Sequence, residues 1–308
     1  MVDGDALSPV VLFTYNRVEE TERTLKALQD NFLAEDSVLY IFSDGPKNNY
    51  DVGEINKVRA ILNRLDGFRS VKIFSSDENK GLANSVINGV DEVLKHHDRV
   101  IVVEDDLVTS PNFLDFMNQA LNFYAEDMKV ASVSGFTLPL SNISIQSDYY
   151  FGYRASSWGW GTWKKVWQSV DWGLSDVDGF FNDRESRKMF RRGGSDLVKM
   201  LSDQLRGNID SWAIRFCYHQ FQNNMVTVYP SVSKARNIGF KKNATHTSGS
   251  SRFSTNLESG KKREFLFENA AKFEAVDPDV AKAFRSFFTV RARIKDRLRK
   301  YSAYIRGC

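Results

Sequence analysis

Glu104, Asp105 and Asp106 stand in a row directly after the apolar run Ile101-Val102-Val103. Three adjacent negative charges repel one another, and an apolar strand leading into them worsens the cost. A divalent cation relieves it. Mg²⁺ and Mn²⁺ favour oxygen ligands, and Mg²⁺ commonly takes one or two carboxylates and fills its shell with water and substrate phosphates. The triplet therefore points to Mn²⁺ or Mg²⁺ shared with a nucleotide diphosphate. The plain alternative is a solvated turn, but Leu107 resumes the apolar pattern at once.

Other polar clusters also close apolar runs: Asn16-Arg17, Asp44-Gly45, and the stretch DENKGLA from Asp77. Lys80 adds a positive charge there. Gly81 and Ala83 allow close backbone approach at a helix start, a place that favours anions. Each cluster has an ordinary reading as well. Asp44 suits a turn before Gly45-Pro46, Arg17 suits a helix start, and Gly81 suits close packing. A third feature is the aromatic tract YYFGYRASSWGWGTWKKVW over 149–167. Tryptophan faces stack on sugar rings, and the indole N–H donates to hydroxyls. Trp160, Trp163 and Trp167 fall at helical spacing, which favours core. We assign Trp158 and Trp160 to the site, and Trp163 and Trp167 to the interior.

The elements that must position these groups are legible in the first half. Residues 9–15, 38–42, 71–75, 99–103 and 130–134 are short apolar runs of strand type. Between them, 19–31, 52–65, 81–95 and 111–126 have helical periodicity. Such alternation predicts an α/β fold with a mostly parallel central sheet flanked by helices. Ligands in such sheets bind beyond the carboxyl ends of the strands. Arg17, Asp44, Asp77 and the acidic triplet all fall there. In the second half, 183–206 and 211–223 read as helices, 225–230 as a strand and 241–255 as a polar loop. Residues 280–305 read as one helix, with Phe284, Phe287, Phe288, Ile294, Leu298, Tyr301 and Ile305 on one side and basic residues on the other.

A chain of 308 residues with 42% apolar and 13% aromatic content has material for a sizeable core. Net charge is +3, yet residues 282–308 hold nine Lys/Arg against one Asp, which leaves the remainder net acidic. A basic amphipathic helix of this kind suits an anionic membrane surface, or a solvated face packed on the domain. No aromatic stacking platform accompanies it, so nucleic acid is not an expected partner. Cys217 and Cys308 make neither a disulfide framework nor a zinc set, and fit a reducing compartment. With no signal peptide pattern and no span-length apolar stretch, a cytoplasmic location is expected, peripheral on the inner face of the cell membrane.

The segment VVEDDLVTSPNFLDFM, preceded by VVLFTYNR and VLYIFSDG, resembles the glycosyltransferase A-type fold. It is most similar to the inverting N-acetylglucosaminyltransferases that build on mannose in glycoproteins, in the form of a bacterial homologue. The resemblance covers 9–135 closely and 150–247 more loosely. It implies that Asp106 ligates Mn²⁺, that Glu104 and Asp105 hold the donor sugar and ribose, that Asp44 reads the uracil, and that Arg17 lies near base and phosphate. It implies a pocket lined around Trp158 and Trp160, and a role for His246 at the phosphates beneath a closing loop. The general base it implies is Asp210, with Asp203 as fallback. Here Asp210-Ser211-Trp212 departs from the family's two adjacent aspartates before tryptophan. Asp210 is equally placed to cap a helix.

The expectation is a metal-dependent inverting transferase moving N-acetylglucosamine from UDP-N-acetylglucosamine to a glycan or lipid-linked acceptor. Residues 1–135 would form the nucleotide-sugar half, 136–256 the acceptor half of the same domain, and 257–308 a basic helical tail. The rivals are a retaining transferase of the same fold, a sugar-phosphate nucleotidyltransferase and a carbohydrate-binding scaffold. The nucleotidyltransferase expects a Gly-rich basic loop after the first strand, where this chain has FTYNRVEE.

Overall fold

The computed structural model describes residues 7–140, 143–239, 251–268 and 276–306. Val10–Thr14 (β1) is buried at every position and pairs in parallel with Val38–Ser43 (β2) on one side and Arg99–Glu104 (β4) on the other. Only a continuous apolar run tolerates burial on both faces. Ser70–Ser75 (β3) adds an outer parallel strand to β2. The helices Val18–Gln29 (α1), Val52–Leu62 (α2) and Leu82–Leu94 (α3) make the crossovers. The mostly parallel α/β sheet read from the first half is therefore present.

Beyond β4 the sheet continues with Trp160–Trp163 (β8), Val130–Ser134 (β6), Val226–Pro230 (β9) and Tyr149–Gly152 (β7). Among the described residues its order is β3-β2-β1-β4-β8-β6-β9-β7. β8 runs antiparallel to both β4 and β6, and β7 antiparallel to β9. The aromatic tract thus supplies two strands and, from Lys164, the start of a short helix. Leu107–Thr109 (β5) and Ala235–Asn237 (β10) pair as a separate antiparallel ribbon.

β8 explains how both faces are filled. Its neighbouring side chains point to opposite layers. A Cβ on Gly161 would meet Leu121 and Met117 of Phe113–Phe123 (α4) at about 3 Å, so α4 sits directly on this strand. On the other face Trp160 stacks on Trp212 at 4.5 Å, at the start of Trp212–Gln222 (α9). It also stacks on Trp167 at 5.5 Å, in the short helix Lys164–Gln168 (α5). Trp160 is 1% exposed. Replacing it with alanine would cost about 3–5 kcal/mol.

Two further expectations change. The predicted helix over 183–206 is divided into Arg184–Phe190 (α7) and Leu197–Leu205 (α8), preceded by the short Asp178–Asn182 (α6). Gly193 marks the division, because a Cβ there would lie 2.7 Å from the Tyr153 carbonyl oxygen. The predicted helix over 280–305 is also two helices, Pro278–Ser286 (α10) and Val290–Arg306 (α11). Phe284 and Phe288 are buried against Phe136, Leu138, Tyr150 and Tyr229. Ile294 and Leu298 are exposed instead, so the apolar side proposed for one long helix does not exist as one face. Among the described residues no helix is long and apolar enough to cross a membrane.

Candidate active site

Strand direction gathers the site. β1, β2, β3 and β4 are parallel, so their carboxyl ends share one rim. β6 is antiparallel to β8, which is antiparallel to β4, so the carboxyl end of β6 lies on the same rim. β9 is parallel to β6, and α9 leads into it, so α9 begins at that rim too. Asp210, just before α9, is thereby on the side of the sheet that carries the triplet.

The triplet is held from three directions. Asp105 and Asp106 are 6% and 7% exposed. The Tyr15 amide donates to Asp105 Oδ2 at 3.0 Å, and Thr24 Oγ1 donates to the Asp105 carbonyl at 2.9 Å. Arg17, at the N-terminal boundary of α1, donates from Nη1 to Asp106 Oδ2 and lies 3.6 Å from Asp105 Oδ1. From the other side, the Ile238 amide donates to the Asp106 carbonyl at 2.8 Å. β10 extends into Gly239, and a Cβ there would lie 2.2 Å from Asp106 Oδ2. Only glycine permits that approach.

The charges are strained by burial. Burial pushes the Asp105 carboxyl up to about 7, Asp106 adds to the rise, and Arg17 opposes it. Burial likewise raises Glu104, to about 8, reinforced by Asp106 and Asp105. Burial works against ionisation of Arg17, but Asp105 and Asp106 outweigh it and raise its pKa. One guanidinium thus faces three carboxyl groups.

Asp106 Oδ1 is buried and has no hydrogen-bond partner. Leaving a buried carboxylate oxygen unpaired is costly, so the atom fits a cation ligand. Among the described residues no three His, Cys, Asp or Glu side chains form a ready cage. The donors therefore fit a cation bound through one carboxylate oxygen and completed by water and phosphate.

The remaining predicted residues fare differently. Asp44 Oδ1 accepts from the Gly45 and Lys80 amides, both at 2.9 Å, and Oδ2 accepts from Asn79 Nδ2 at 3.0 Å and the Gly81 amide at 3.1 Å. About four lone-pair positions serve a carboxylate, and all are used. These contacts clamp the turn before α3, with Asp44 half-buried just past the end of β2. Lys80 is exposed on that turn. Trp158 is half-buried at the rim, edge-on to Phe136 at 4.5 Å and Phe253 at 6.0 Å. Trp160 has ring faces covered by Trp212 and Trp167, so its assignment to a sugar-stacking surface is corrected to core. Asp210 is 54% exposed and paired with Arg215 at 2.6 Å, while Ser211 caps α9. His246 lies outside the described residues.

Sequence reasoning placed Asn16 at this rim but missed Tyr15 and Asp51, which brace it. Tyr15 Oη donates to Asp51 Oδ2 at 2.9 Å and accepts from the Lys47 amide at 3.0 Å, while Asn16 Nδ2 donates to Asp51 Oδ1 at 2.8 Å. Asn79 is a second omission. The available signal was polar residues immediately past strand ends.

No protein-family model matches the chain, and no curated protein matches it. Among solved structures, it is similar to the mannosyltransferase PcManGT from Pyrobaculum calidifontis, in complex with GDP-Man and Mn²⁺. The identity is 11%, over 55% of this chain and 48% of that one, with a TM-score of 0.37. It is also similar to S. aureus TarS 1–349 at 12% identity, over 76% of this chain and 61% of that one, with a TM-score of 0.42. The chain spans less than two thirds of either. Likeness of this degree carries no argument about activity.

Proposed function

We propose that the chain is a metal-dependent inverting glycosyltransferase of the A-type fold. The observation that carries this reading is the buried, unpartnered Asp106 Oδ1, set at the carboxyl rim beside Arg17. Asp106 would hold Mn²⁺ or Mg²⁺, which when bound offsets negative charge on the leaving diphosphate. Glu104 and Asp105 would contact donor sugar and ribose, and Arg17 and Lys80 the phosphates. Trp158 would border the sugar, and His246 would meet the phosphates. Asp210 takes the proton from the acceptor hydroxyl as that oxygen bonds to the anomeric carbon and the nucleoside diphosphate departs. By the sequence resemblance the donor is UDP-N-acetylglucosamine and the acceptor a glycan or lipid-linked glycan.

One observation favours a second reading. Asp210 is engaged by Arg215 at 2.6 Å instead of standing free for an acceptor hydroxyl, as suits a retaining transferase in which Asp210 is not the base.

The test is a panel of sugar nucleotides, with and without Mn²⁺, scored by thermal shift and nucleotide release. Asp106→Asn should abolish the metal-dependent response. Asp210→Asn should keep donor binding and lower transfer by about 10²–10⁴-fold. No metal-dependent release from any donor would favour the scaffold. Unchanged transfer by Asp210→Asn would remove the base, and product stereochemistry would then decide between inversion and retention.

A further inference from the structure

α11 turns an apolar stripe away from the protein. Val290, Ile294 and Leu298 are 58%, 52% and 64% exposed. Positions four apart are offset by only about 40° around a helix, so the three form one line. Arg291 and Lys295 are exposed along one flank of that line and Arg297 along the other. The opposite side faces inward: Ala292 and Arg293 are half-buried, and Asp296 is buried. Asp296 lies near Arg252 of the 3-10 turn Ser251–Phe253, where its negative charge favours the guanidinium against burial. The acidic residue of this stretch is therefore turned in, and among the described side chains of α11, residues 290–298, the outward face carries only apolar and cationic groups.

The preceding segment fixes this orientation. Phe284 and Phe288 are buried in the small core beside β7 and β9. Ser195 Oγ donates to the Phe288 carbonyl at 2.6 Å, and Arg252 Nη1 to the Phe287 carbonyl at 2.8 Å. The Arg154 guanidinium lies 4.2 Å from the centroid of the Phe288 ring. α11 thus leaves from an anchored corner.

A helix made only for solvent has no use for a central apolar line, and a helix made for a protein core does not flank that line with cations on both sides. We propose that the outward face of α11 docks on an anionic lipid bilayer. The apolar line enters the acyl boundary and the flanking Arg and Lys meet the phosphate headgroups. This inference goes beyond the transfer reaction and stands or falls without it.

The test uses the full chain in co-sedimentation with vesicles of phosphatidylcholine alone or mixed with phosphatidylglycerol. Binding is expected only to the mixed vesicles, weakening as salt rises. Arg291→Gln with Lys295→Gln should lower partitioning about thirtyfold, from roughly fivefold per cation. Ile294→Glu with Leu298→Glu should lower it by about tenfold or more. These positions are exposed, so unchanged melting temperatures will show that the fold is intact. Equal binding to both vesicle types, no binding to either, or unaffected binding by the two glutamate substitutions would overturn the proposal. So would a concentration-dependent dimer, by sedimentation velocity, that those substitutions abolish, because the stripe would then belong to a second copy.

Discussion

Arg17→Gln is the sharpest probe of the rim. It removes the guanidinium that faces Asp105 and Asp106 and leaves a shorter, neutral polar side chain. Breaking a buried pair by deleting one partner costs about 3–5 kcal/mol. The Arg17 side chain is 26% exposed against 9% for both carboxylates, so solvent recovers part of the loss and we expect about 2–3 kcal/mol. At roughly 1.5–2 °C per kcal/mol for a chain of this size, the melting temperature should fall by about 3–6 °C. Scanning fluorimetry at pH 8 without metal measures this. Saturating MnCl₂ should then return most of the loss, because a cation at Asp106 supplies the missing positive charge. Lys26→Gln is the control. It breaks an exposed ion pair to Asp30 and should cost about 0.5 kcal/mol or less. A fall no larger than this control, or a fall that Mn²⁺ does not reduce, would refute the view that Arg17 balances a metal-binding carboxylate cluster.

Two further outcomes follow from the same geometry. Asp105 and Glu104 titrate near 7 and 8 in the folded chain, above their ordinary values of about 4. Their protonated forms favour the fold, so this stability is complete below about pH 4 and is lost as pH rises through 7 and 8. Without metal, melting temperature should decline from pH 5.5 to 8.5, and the rise produced by Mn²⁺ should grow over the same interval because a nearby cation offsets the charge that Asp105 and Glu104 gain on ionising. A Mn²⁺-induced rise independent of pH would contradict the titrations. Gly239→Ala places a Cβ 2.2 Å from Asp106 Oδ2 and should push the β10 extension off the carboxylate. Calorimetric Mn²⁺ affinity in the presence of nucleotide diphosphate should weaken by about tenfold or more, as expected for a change in groups that orient a ligand. Wild-type affinity would show that Gly239 does not shape the site.

Much of this rim was readable because it rests on strands buried on both faces. Val10 to Phe13 and Ile101 to Val103 are apolar without interruption, and the point where polarity begins marks the carboxyl rim. Arg17 and Asp106 sit at such points. What could not be read was which polar group each would meet. The Asp44 partners Asn79, Lys80 and Gly81 come from the next strand end, and no local pattern records that pairing. The tryptophans misled for another reason. Trp160 and Trp163 are three apart, as on a helix, yet they lie on a strand and point to opposite layers. Trp160 meets α9, while Trp163 Nε1 donates to the Leu121 carbonyl of α4 at 3.0 Å. The C-terminal helices divide because Phe284 and Phe288 fit a core that Ile294 and Leu298 do not reach.

The placement of β8 bears on how the chain comes to be folded at all. β4, which ends in the acidic residues, is covered on one side by β1, but its other side waits for a strand made much later in the sequence. Until residues 160–163 arrive, a growing chain presents β4 as an apolar edge with open amides and carbonyls, the kind of edge on which other chains add. β5 waits longer still, for residues 235–237. Long-range pairings of this sort slow folding. The rim that carries the acidic triplet thus closes late, and during synthesis it is a point where a chaperone's protection helps.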